Sequence, residues 1–441
     1  MINYISGKII NMIARNTGIS VLCFSLLILL NQFTWIKYFD VDGVLSLFNK
    51  TLFILFDIIL IITALIFFIK RKDSMLLKNY AKILIVNIFF IFVVTIVLES
   101  IFGNWISPEK LNQLNIIKNT RIQFINNLYP WISDTLIYTR DQYGLRGTYP
   151  TVGEIDIVAI GGSTTDERYI SDGFTWTSIL QNNFINHGND VFVSNAGLDG
   201  QSTFGHIKNF DWWFPLIPEF KPKYVIAFIG INDFYISENS SFNDLVNENP
   251  DTVVKKIKKI LQGKSALYYL YRTINGMILS KMYKIGHGYD NSEYKMINWV
   301  STPKLKNHEY LMEQHINQYR TNLKLLGEKI INLGSIPIYI TQSMRRLYNV
   351  TTDEIYGIPN AGEYKGLKYN GVDYYIMSRL INKETINVCE ELNGICLDLD
   401  SEINYDLNND FYDTLHTTPS GSKKIAKYIY NSIHHRITDE N

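Results

Sequence analysis

The sequence has no charge imbalance, few cysteines and none of the common nucleotide-binding or metal-binding motifs. Lysine plus arginine number 42, and aspartate plus glutamate also number 42, among 441 residues. No global electrostatic field therefore attracts nucleic acid, and we expect no nucleic-acid partner. Hydrophobic residues make up 46% of the chain and aromatic residues 14%, which excludes a mainly disordered protein and leaves room for more than one domain.

The missing motifs exclude several chemistries. The glycine-rich stretch IGGSTTDE at 160–167 has neither the Gly-Lys-Ser/Thr element nor a lysine for phosphate, so it does not match a phosphate-binding loop. The Gly-x-Gly-x-x-Gly pattern of dinucleotide-binding folds is also absent, and the histidines and cysteines show no metal-ligand spacing. We expect the protein to use neither a cofactor nor a metal.

The chain contains three cysteines. Cys23 lies in an apolar run, whereas Cys389 and Cys396 belong to the segment VCEELNGIC. This pair could form a disulfide outside the cytoplasm. The same segment also has the pattern of a helix, a glycine stop and a buried strand, in which the two residues would be buried thiols. The second interpretation is the one favoured by the sequence.

Three long apolar runs occupy the N-terminal part of the chain, at 17–36, 51–69 and 83–102. Each has close to the roughly 20 residues that a helix needs to cross a bilayer. The first run could also be a secretory signal, but no small-residue cleavage site follows it and two more runs do. We predict a membrane domain over 1–103 with three transmembrane helices in the lipid bilayer.

Positive charge predicts the orientation of this membrane domain. Five lysines and arginines lie between the second and third runs, and two precede the first run, whereas the first loop has two lysines offset by two aspartates. Loops rich in lysine and arginine stay in the cytoplasm. We therefore expect a multi-pass protein of the cell membrane with a cytoplasmic N-terminus and with everything after residue 103 outside the cytoplasm.

Asp57 is the one carboxylate well inside a predicted span, which makes it a candidate functional group. In the predicted orientation its depth matches that of Thr95 and not that of Asn87. The simpler interpretation is a protonated or hydrogen-bonded aspartate that helps the helices pack. The role of Asp57 stays open at this stage.

After a connector at 104–153, the segment 154–441 alternates apolar strands with helices, and a helix-rich insertion covers about 237–307. Strands without polar alternation are buried on both faces, and helical crossovers imply parallel pairing. The predicted fold is an α/β protein, a three-layer α/β/α parallel sheet. Its predicted strands are 155–162, 190–195, 223–230, 336–341 and 395–399, and its predicted helices are 174–187, 308–333, 370–393 and 419–436.

Polar residues follow several of the predicted strands. Ser163 follows the first strand, Gly200 lies in the segment SNAGLDGQST after the second, and Asn232 lies in GINDFY after the third. Asp413 and His416 lie in DFYDTLHTTPSGS, beyond the fifth strand. Ligands of open parallel sheets bind outside the carboxyl ends of the strands, so these residues are predicted to meet in one cleft.

Acyl-transfer chemistry requires residue types of this kind. A serine hydroxyl needs a neighbouring base, and His416 can take the proton of Ser163 while Asp413 holds the other ring nitrogen. The backbone N–H groups of Ser163 and Gly200, with the side-chain amide of Asn232, can stabilise the oxyanion that forms on the carbonyl. The sequence predicts a catalytic triad of Ser163, His416 and Asp413 beside an oxyanion hole.

The motifs GGSTT, NAGLDG, GIND and DTLH resemble, in this order, the four blocks of the SGNH (GDSL-like) hydrolase superfamily. The resemblance covers about residues 154–436 and assigns the nucleophile to Ser163, the oxyanion residues to Gly200 and Asn232, and the Asp-x-x-His pair to Asp413 and His416. It implies a flavodoxin-like sheet and cofactor-free ester chemistry. One departure is Gly162, which stands where the commonest GDS form has aspartate; GGST variants resemble a membrane-associated branch linked to cell-surface glycan modification.

The membrane domain and the predicted triad together suggest a biological role. The leading hypothesis is a membrane-anchored esterase or O-acyltransferase whose substrate is an acyl ester, with acetyl implied by the resemblance, on a surface polysaccharide or peptidoglycan. A transferase would need a partner membrane protein to deliver its acyl donor. Trp212, Trp213, Tyr268, Tyr269 and Tyr271 are candidate sugar-stacking residues, although core packing is the simpler interpretation. The alternative hypothesis is an inert scaffold or glycan-binding subunit of a polysaccharide assembly complex.

Overall fold

The computed structural model describes residues 116–129, 132–235, 253–272, 298–343 and 347–438, with gaps at 352–353 and 407, together with residue 274 and isolated residues between 54 and 114. The predicted spans at 17–36, 51–69 and 83–102 lie wholly or largely outside these residues. Within the part of the chain that is described, no helix is long and apolar enough to cross a bilayer.

The chain divides into two compact units. The first comprises Met1–Glu109 and Asp251–Gly286, and the second comprises Lys110–Pro250 and His287–Asn441. The strands of the second unit are β1 (Thr120–Ile125), β2 (Thr135–Arg140), β3 (Ile155–Gly161), β4 (Phe192–Asn195), β5 (Tyr224–Phe228), β6 (Ile336–Ile340), β7 (Tyr348–Val350), β8 (Ile355–Gly357), β9 (Gly362–Tyr364), β10 (Leu367–Tyr369) and β11 (Ile395–Leu397).

Helices alternate with the strands along the second unit. The helices of the second unit include α1 (Ser163–Asp166), α2 (Trp176–Asn186), α3 (Thr203–Trp212), α4 (Ile231–Tyr235), α6 (His308–Asn332), α7 (Gly371–Glu391), α8 (Leu399–Glu402) and α9 (Pro419–Thr438), and α5 (Val253–Lys264) lies in the first unit. Each predicted strand and helix of the sheet domain is present, with bounds that differ by a few residues.

The central sheet has five parallel strands in the order β11-β6-β5-β3-β4. Counted along the chain, this order is 2-1-3-4-5, which is the flavodoxin-like arrangement of doubly wound sheets. Chain order therefore reverses between β3 and β5. A crevice forms at such a reversal because the connections on its two sides leave the sheet on opposite faces, and β3 and β5 deliver Ser163 and Asn232 to that edge.

Both faces of the sheet are buried, as the apolar strands predicted. Along β3, Val158 and Ile160 pack on one face, where helices α3, α6 and α7 contribute to the core. Ile157 and Ala159 pack on the other face with helices α2 and α9. All four of these side chains are unexposed. Alternate residues of a strand point to opposite faces, so the continuous apolar run produces the three-layer α/β/α architecture.

The segment predicted as a connector contains regular structure that the sequence pattern did not indicate. Strands β1 and β2 pair as an antiparallel hairpin, with Thr120 opposite Arg140. Further along the chain, β7 pairs with β8 and β9 pairs with β10 as short antiparallel ribbons. These strands have three to six residues each, which is too short for a clear periodic signal.

The prediction that Cys389 and Cys396 are two thiols is wrong, because the two residues form a disulfide. The local pattern was read correctly, since α7 ends at Glu391 and β11 begins at Ile395. Between them Asn393 adopts a left-handed conformation with a φ of 52°. This tight reversal brings the two Cα atoms to 5.8 Å, within the range that a disulfide requires.

Candidate active site

Ser163 lies at a sharp turn from strand to helix. Strand β3 ends at Gly161, and helix α1 begins two residues later with Ser163 itself. A Cβ on Gly161 would lie 2.1 Å from Oγ1 of Thr165 and 2.5 Å from the carbonyl oxygen of Phe228, so only glycine fits this turn. The N–H of the first helical residue has no acceptor within the helix, which leaves the N–H of Ser163 directed away from the helix at its N-terminus.

The structure brings the three predicted triad residues into one chain of hydrogen bonds. Nε2 of His416 lies 2.7 Å from Oγ of Ser163, across 253 residues of sequence. Nδ1 of His416 lies 2.7 Å from Oδ2 of Asp413. The other carboxylate oxygen of Asp413 accepts the backbone N–H groups of Leu415 at 2.9 Å and His416 at 2.7 Å. These bonds orient the carboxylate toward the imidazole.

The environment of His416 favours its protonated form. Burial alone would lower the pKa of His416, but the charge of Asp413 and its hydrogen bond to the ring outweigh burial and raise the pKa above the ordinary value. The ring of Tyr412 stacks on the imidazole, with 5.6 Å between centroids and 12° between planes. His416 is therefore held in one orientation from two sides, and an imidazolium formed there is stabilised.

Of the other two predicted oxyanion residues, Gly200 lies on the loop after β4 and Asn232 lies in the short helix α4 after β5. Gly200 has a φ of 70°, a backbone conformation that side chains rarely adopt. Nδ2 of Asn232 donates to the carbonyl oxygen of Gln201 at 2.9 Å, which ties the Asn232 amide to the Gly200 loop. An amide nitrogen carries two hydrogens, so this bond leaves one N–H of Asn232 for a ligand.

Gly162, the departure from the commonest GDS form, has a physical reason in this structure. A Cβ built on Gly162 would lie 2.1 Å from Nδ2 of Asn232. No side chain fits at 162 while the Asn232 amide occupies its observed place beside Ser163. The glycine therefore permits the close approach of the amide to the nucleophile turn.

Asp233, the residue after Asn232, positions the start of helix α3. Its carboxylate accepts the backbone N–H of Thr203, the first residue of α3, at 3.1 Å and 3.2 Å. Burial raises the pKa of Asp233 to about 6, and the hydrogen bonds from Thr203 oppose this shift. The contact fixes α3 and the preceding Gly200 loop against helix α4, which carries Asn232 and Asp233.

Two arginines that sequence reasoning missed connect the hairpin region to the nucleophile turn. Arg140, at the end of β2, forms a buried ion pair of 2.6 Å with Asp166 and donates to the carbonyl oxygen of Gly197 at 2.5 Å. Arg146 donates to the backbone carbonyls of Asp166 at 2.7 Å and Glu167 at 3.0 Å. Their only sequence signal was two arginines in the polar segment TRDQYGLRG, which is not distinctive.

Glu167, also missed, joins the two catalytic loops. It follows α1 in a left-handed conformation and accepts the backbone N–H of Trp176 at 2.6 Å. Its other oxygen accepts hydroxyl groups from Thr417, at 3.2 Å, and Ser422. Burial raises the pKa of Glu167 to about 7, against the opposing effect of these hydrogen bonds. No local motif identifies the contacts of Glu167 with Thr417 and Ser422, because these residues lie 250 and 255 positions further along the chain.

The simpler interpretation of Trp212 and Trp213, core packing, is confirmed, and two further residues near the site are also buried. Trp212 is 7% exposed and Trp213 1%, so both belong to the core and neither forms a sugar-stacking platform. His206 is fully buried, and burial lowers its pKa to about 3. Gly197 packs against the backbone of Asp166, where a Cβ would lie 2.4 Å from the amide nitrogen.

A flavodoxin-like sheet with a serine, a histidine and an aspartate hydrogen-bonded in series at its carboxyl edge defines a serine hydrolase of the SGNH type. The model of the GDSL-like lipase/acylhydrolase family matches residues 157–429, which is more than half of the chain. The chain belongs to this family, and its catalytic unit is an esterase-like domain of that family.

Solved structures also match this chain at low sequence identity. A psychrotrophic esterase from Pseudoalteromonas is 13% identical, with 64% of this chain and 99% of that chain covered and a TM-score of 0.36. An acetylxylan esterase from Geobacillus stearothermophilus is 13% identical, with 63% and 93% covered and a TM-score of 0.34. A GDSL-like lipase from Parabacteroides merdae is 13% identical, with 66% and 99% covered and a TM-score of 0.35. No curated protein matches the chain.

Proposed function

We propose that this protein is a membrane-anchored serine esterase or O-acyltransferase that acts on acyl esters of a cell-surface polysaccharide or peptidoglycan. The observation that carries the catalytic part is the continuous chain of hydrogen bonds from Oγ of Ser163 through the His416 ring to Asp413, with two distances of 2.7 Å. Nucleophile, base and orienting carboxylate then act as one unit.

The acylation step follows from this geometry. Nε2 of His416 takes the hydroxyl proton while Oγ of Ser163 forms a bond to the carbonyl carbon of the ester, and the carbonyl electron pair moves onto oxygen. The N–H groups of Ser163 and Gly200, with Nδ2 of Asn232, stabilise this oxyanion. When the intermediate collapses, the bond to the leaving alcohol breaks and the alcohol oxygen receives the proton from His416. The product is an acyl ester on Ser163.

The second half-reaction decides between hydrolysis and transfer. His416 takes a proton from the attacking hydroxyl, which belongs to water in an esterase and to a sugar in a transferase. The attacking oxygen bonds to the acyl carbon, and Oγ of Ser163 leaves and recovers the proton from His416. The same residues support both outcomes, so the relative access of water and of an acceptor sugar determines which reaction occurs.

Two features support a location at the outer face of the cell membrane. The three apolar runs at 17–36, 51–69 and 83–102 have the length of transmembrane helices, and the distribution of lysine and arginine predicts that the catalytic unit follows them on the outside. The Cys389–Cys396 disulfide is typical of an oxidising compartment. An anchored enzyme of this kind acts on a substrate close to the membrane.

The substrate class rests on the membrane location and on the family. A surface polysaccharide or peptidoglycan that carries acyl esters is a substrate close to the membrane. Acetyl is the acyl group that the family resemblance favours. Three short helices are too few to move an acyl donor across a bilayer, so a transferase would receive its donor from a membrane transporter or acyltransferase partner.

Fluorophosphonate labelling of the lipid-reconstituted chain tests the catalytic proposal. We expect a single labelled serine, and Ser163→Ala should abolish the label. Ser178→Ala, which changes a half-buried serine in α2, is the matched control and should label like the unmodified protein. A folded, reconstituted sample that does not label would contradict the proposal and favour the inert scaffold.

A second assay separates esterase from transferase. The chain is supplied with p-nitrophenyl acetate, with and without an acetyl-free oligosaccharide acceptor. A transferase should form acetylated oligosaccharide faster than free acetate, and an esterase should release acetate at the same rate in both mixtures. Both reactions should require Ser163, because both pass through the same acyl-enzyme.

A further inference from the structure

The helix α5, Val253–Lys264, has a sequence that separates apolar residues from lysines. At 100° per residue, positions 253, 257 and 260 fall on one side of the helix, whereas the lysines at 255, 256, 258 and 259 occupy the remaining arc. A helix with apolar residues on one face and lysines on the other is typical of segments that lie on a membrane surface.

Three apolar side chains of α5 are exposed in the described part of the chain. Val253 is 72% exposed, Ile257 52% and Ile260 53%. Three large aliphatic side chains at i, i+4 and i+7 form one continuous apolar strip when they lie on the same side of a helix. In a soluble helix this strip would face the protein core, so its exposure requires another apolar surface to contact it.

The C-terminal end of α5 is attached to the end of the third apolar run. Ser265 follows the last residue of α5, and its Oγ donates to Oε1 of Glu99 at 2.6 Å. The backbone N–H groups of Ala266 and Leu267 also donate to the Glu99 carboxylate, each at 3.1 Å. Glu99 lies three residues before the end of the run at 83–102. This end is predicted at the outer surface of the bilayer.

Two exposed aromatic residues of the first unit contact Glu99 or follow its contacts closely in the chain. Nε1 of Trp105 donates to Oε2 of Glu99 at 2.7 Å, and the Trp105 side chain is 42% exposed. Tyr271, four residues after the last of these Glu99 contacts, is 60% exposed. Tryptophan and tyrosine concentrate where a bilayer meets water, because their rings are apolar and their N–H or O–H groups are polar.

We infer that α5 is an interfacial helix that lies on the outer leaflet of the membrane and binds anionic lipid. The strip of Val253, Ile257 and Ile260 enters the boundary between headgroups and acyl chains, and the lysines contact anionic headgroups. Lipid is favoured over a protein partner because the lysines complement an anionic surface and because Glu99 holds the helix at the end of a predicted span. This inference rests on the membrane anchorage in the proposed function.

The test uses the full chain in lipid nanodiscs, with Cys23→Ser as background so that no free thiol remains beside the disulfide. An NBD fluorophore is attached to Ile257→Cys or Ile260→Cys. The control positions are Lys255→Cys, opposite the apolar strip on the same helix, and Tyr310→Cys, an 81% exposed position of α6. Fluorophosphonate labelling of each variant verifies that the catalytic unit is folded.

We expect NBD at 257 and 260 to shift to shorter wavelength and brighten several-fold in nanodiscs with anionic lipid, and to be quenched by lipids that carry nitroxides on their acyl chains. NBD at 255 should respond much less, and NBD at 310 should not respond. Replacing the four lysines with glutamine should remove the preference for anionic over zwitterionic lipid, about fivefold per lysine at low salt.

The outcomes distinguish a failure of lipid binding by α5 from a failure of the proposed membrane anchorage. If the chain coelutes with nanodiscs but NBD at 257 and 260 behaves like NBD at 310, α5 does not bind lipid and the inference is overturned. A shielded fluorophore that lipid-borne nitroxides do not quench indicates a protein partner and also overturns it. A chain that does not coelute with nanodiscs at all would remove the anchorage itself, while the labelling of Ser163 would still test the catalytic proposal.

Discussion

Oγ1 of Thr417 donates a hydrogen bond of 3.2 Å to Oε1 of Glu167. Thr417 follows the catalytic base, and Glu167 follows the helix that begins with the nucleophile. The bond therefore joins the two loops on which the distance between Ser163 and His416 depends. Because the Glu167 carboxyl is buried, its ionisation makes the stability of the contact between these two loops dependent on pH.

The contribution of Glu167 to the stability of the catalytic unit should fall as the pH rises from about 4.5 to about 7. It is measured as the difference between the unmodified protein and Glu167→Gln, because buried His206, with its pKa lowered to about 3, gives the opposite slope below about pH 6.5. Burial raises the pKa of Glu167 from 4.5 to about 7, so the folded protein keeps a proton that the unfolded chain loses in this window. Stability falls with pH wherever the folded state binds more protons, here by about 3 kcal/mol in total, and is constant with respect to this group above the window. Denaturant unfolding at several pH values measures the change.

Glu167→Gln should remove this part of the pH dependence, because glutamine resembles the protonated form and does not ionise. The matched control is Glu309→Gln, at an exposed position of α6, which should keep the slope of the unmodified protein. An unchanged slope in Glu167→Gln would show that Glu167 is ionised throughout the window.

Asn232→Ala should lower kcat by about 10²- to 10³-fold, equivalent to about 2.7 to 4 kcal/mol of transition-state stabilisation, with little effect on KM. The reason is that the amide would interact with the oxyanion and not with the ground-state carbonyl. Steady-state hydrolysis of p-nitrophenyl acetate measures both constants. Asn186→Ala, at the exposed end of α2, is the control and should leave kcat unchanged.

Gly162→Ala should reduce kcat in the same direction without changing any polar group. The new Cβ would lie 2.1 Å from Nδ2 of Asn232 and would displace the amide. In an Asn232→Ala background the same substitution should have a much smaller effect, since no amide remains to be displaced. Additive losses in the double variant would mean that Gly162 acts independently of Asn232.

The value of kcat/KM should rise with pH through an apparent pKa above 6.5. His416 must be neutral to accept the serine proton, and the charge of Asp413 raises the pKa of His416 above 6.5 despite burial. Activity is therefore lost as the pH falls through that pKa. Asp413→Asn should lower kcat by roughly 10⁴-fold and move the apparent pKa downward. If the midpoint does not move in this variant, Asp413 does not raise the pKa of His416.

Arg140→Ala should destabilise the catalytic unit by about 3 to 5 kcal/mol in denaturant unfolding, since it leaves the buried carboxylate of Asp166 without its ion-pair partner. Arg121→Ala, at an exposed position of the same hairpin, should change stability by no more than about 0.5 kcal/mol. The loss in free energy of unfolding caused by Arg140→Ala should be smaller in an Asp166→Ala background. An equal cost in both backgrounds would show that the ion pair contributes nothing.

Long periodic elements were predictable because each carries its own signal. Strand β3 and helices α6, α7 and α9 match their predicted ranges within about two residues, since a buried parallel strand has a continuous apolar run and an amphipathic helix has a 3.6-residue period. The short strands from β7 to β10 were missed because three residues carry no period. The disulfide was misjudged because local pattern cannot show whether two sulfur atoms meet across a turn.

The sequence by itself determined the order of strands and helices, the residues at the carboxyl ends of the strands, and the candidate roles of Ser163, His416 and Asp413. These depend on residue type and on position relative to a local element. Only the tertiary structure decided that Arg140 pairs with Asp166, that Glu167 joins the two catalytic loops and that Gly162 makes room for Asn232. Each of these contacts bridges separate elements, and all but the last form in a buried environment. Their partners are therefore set by packing and desolvation, which no local pattern records.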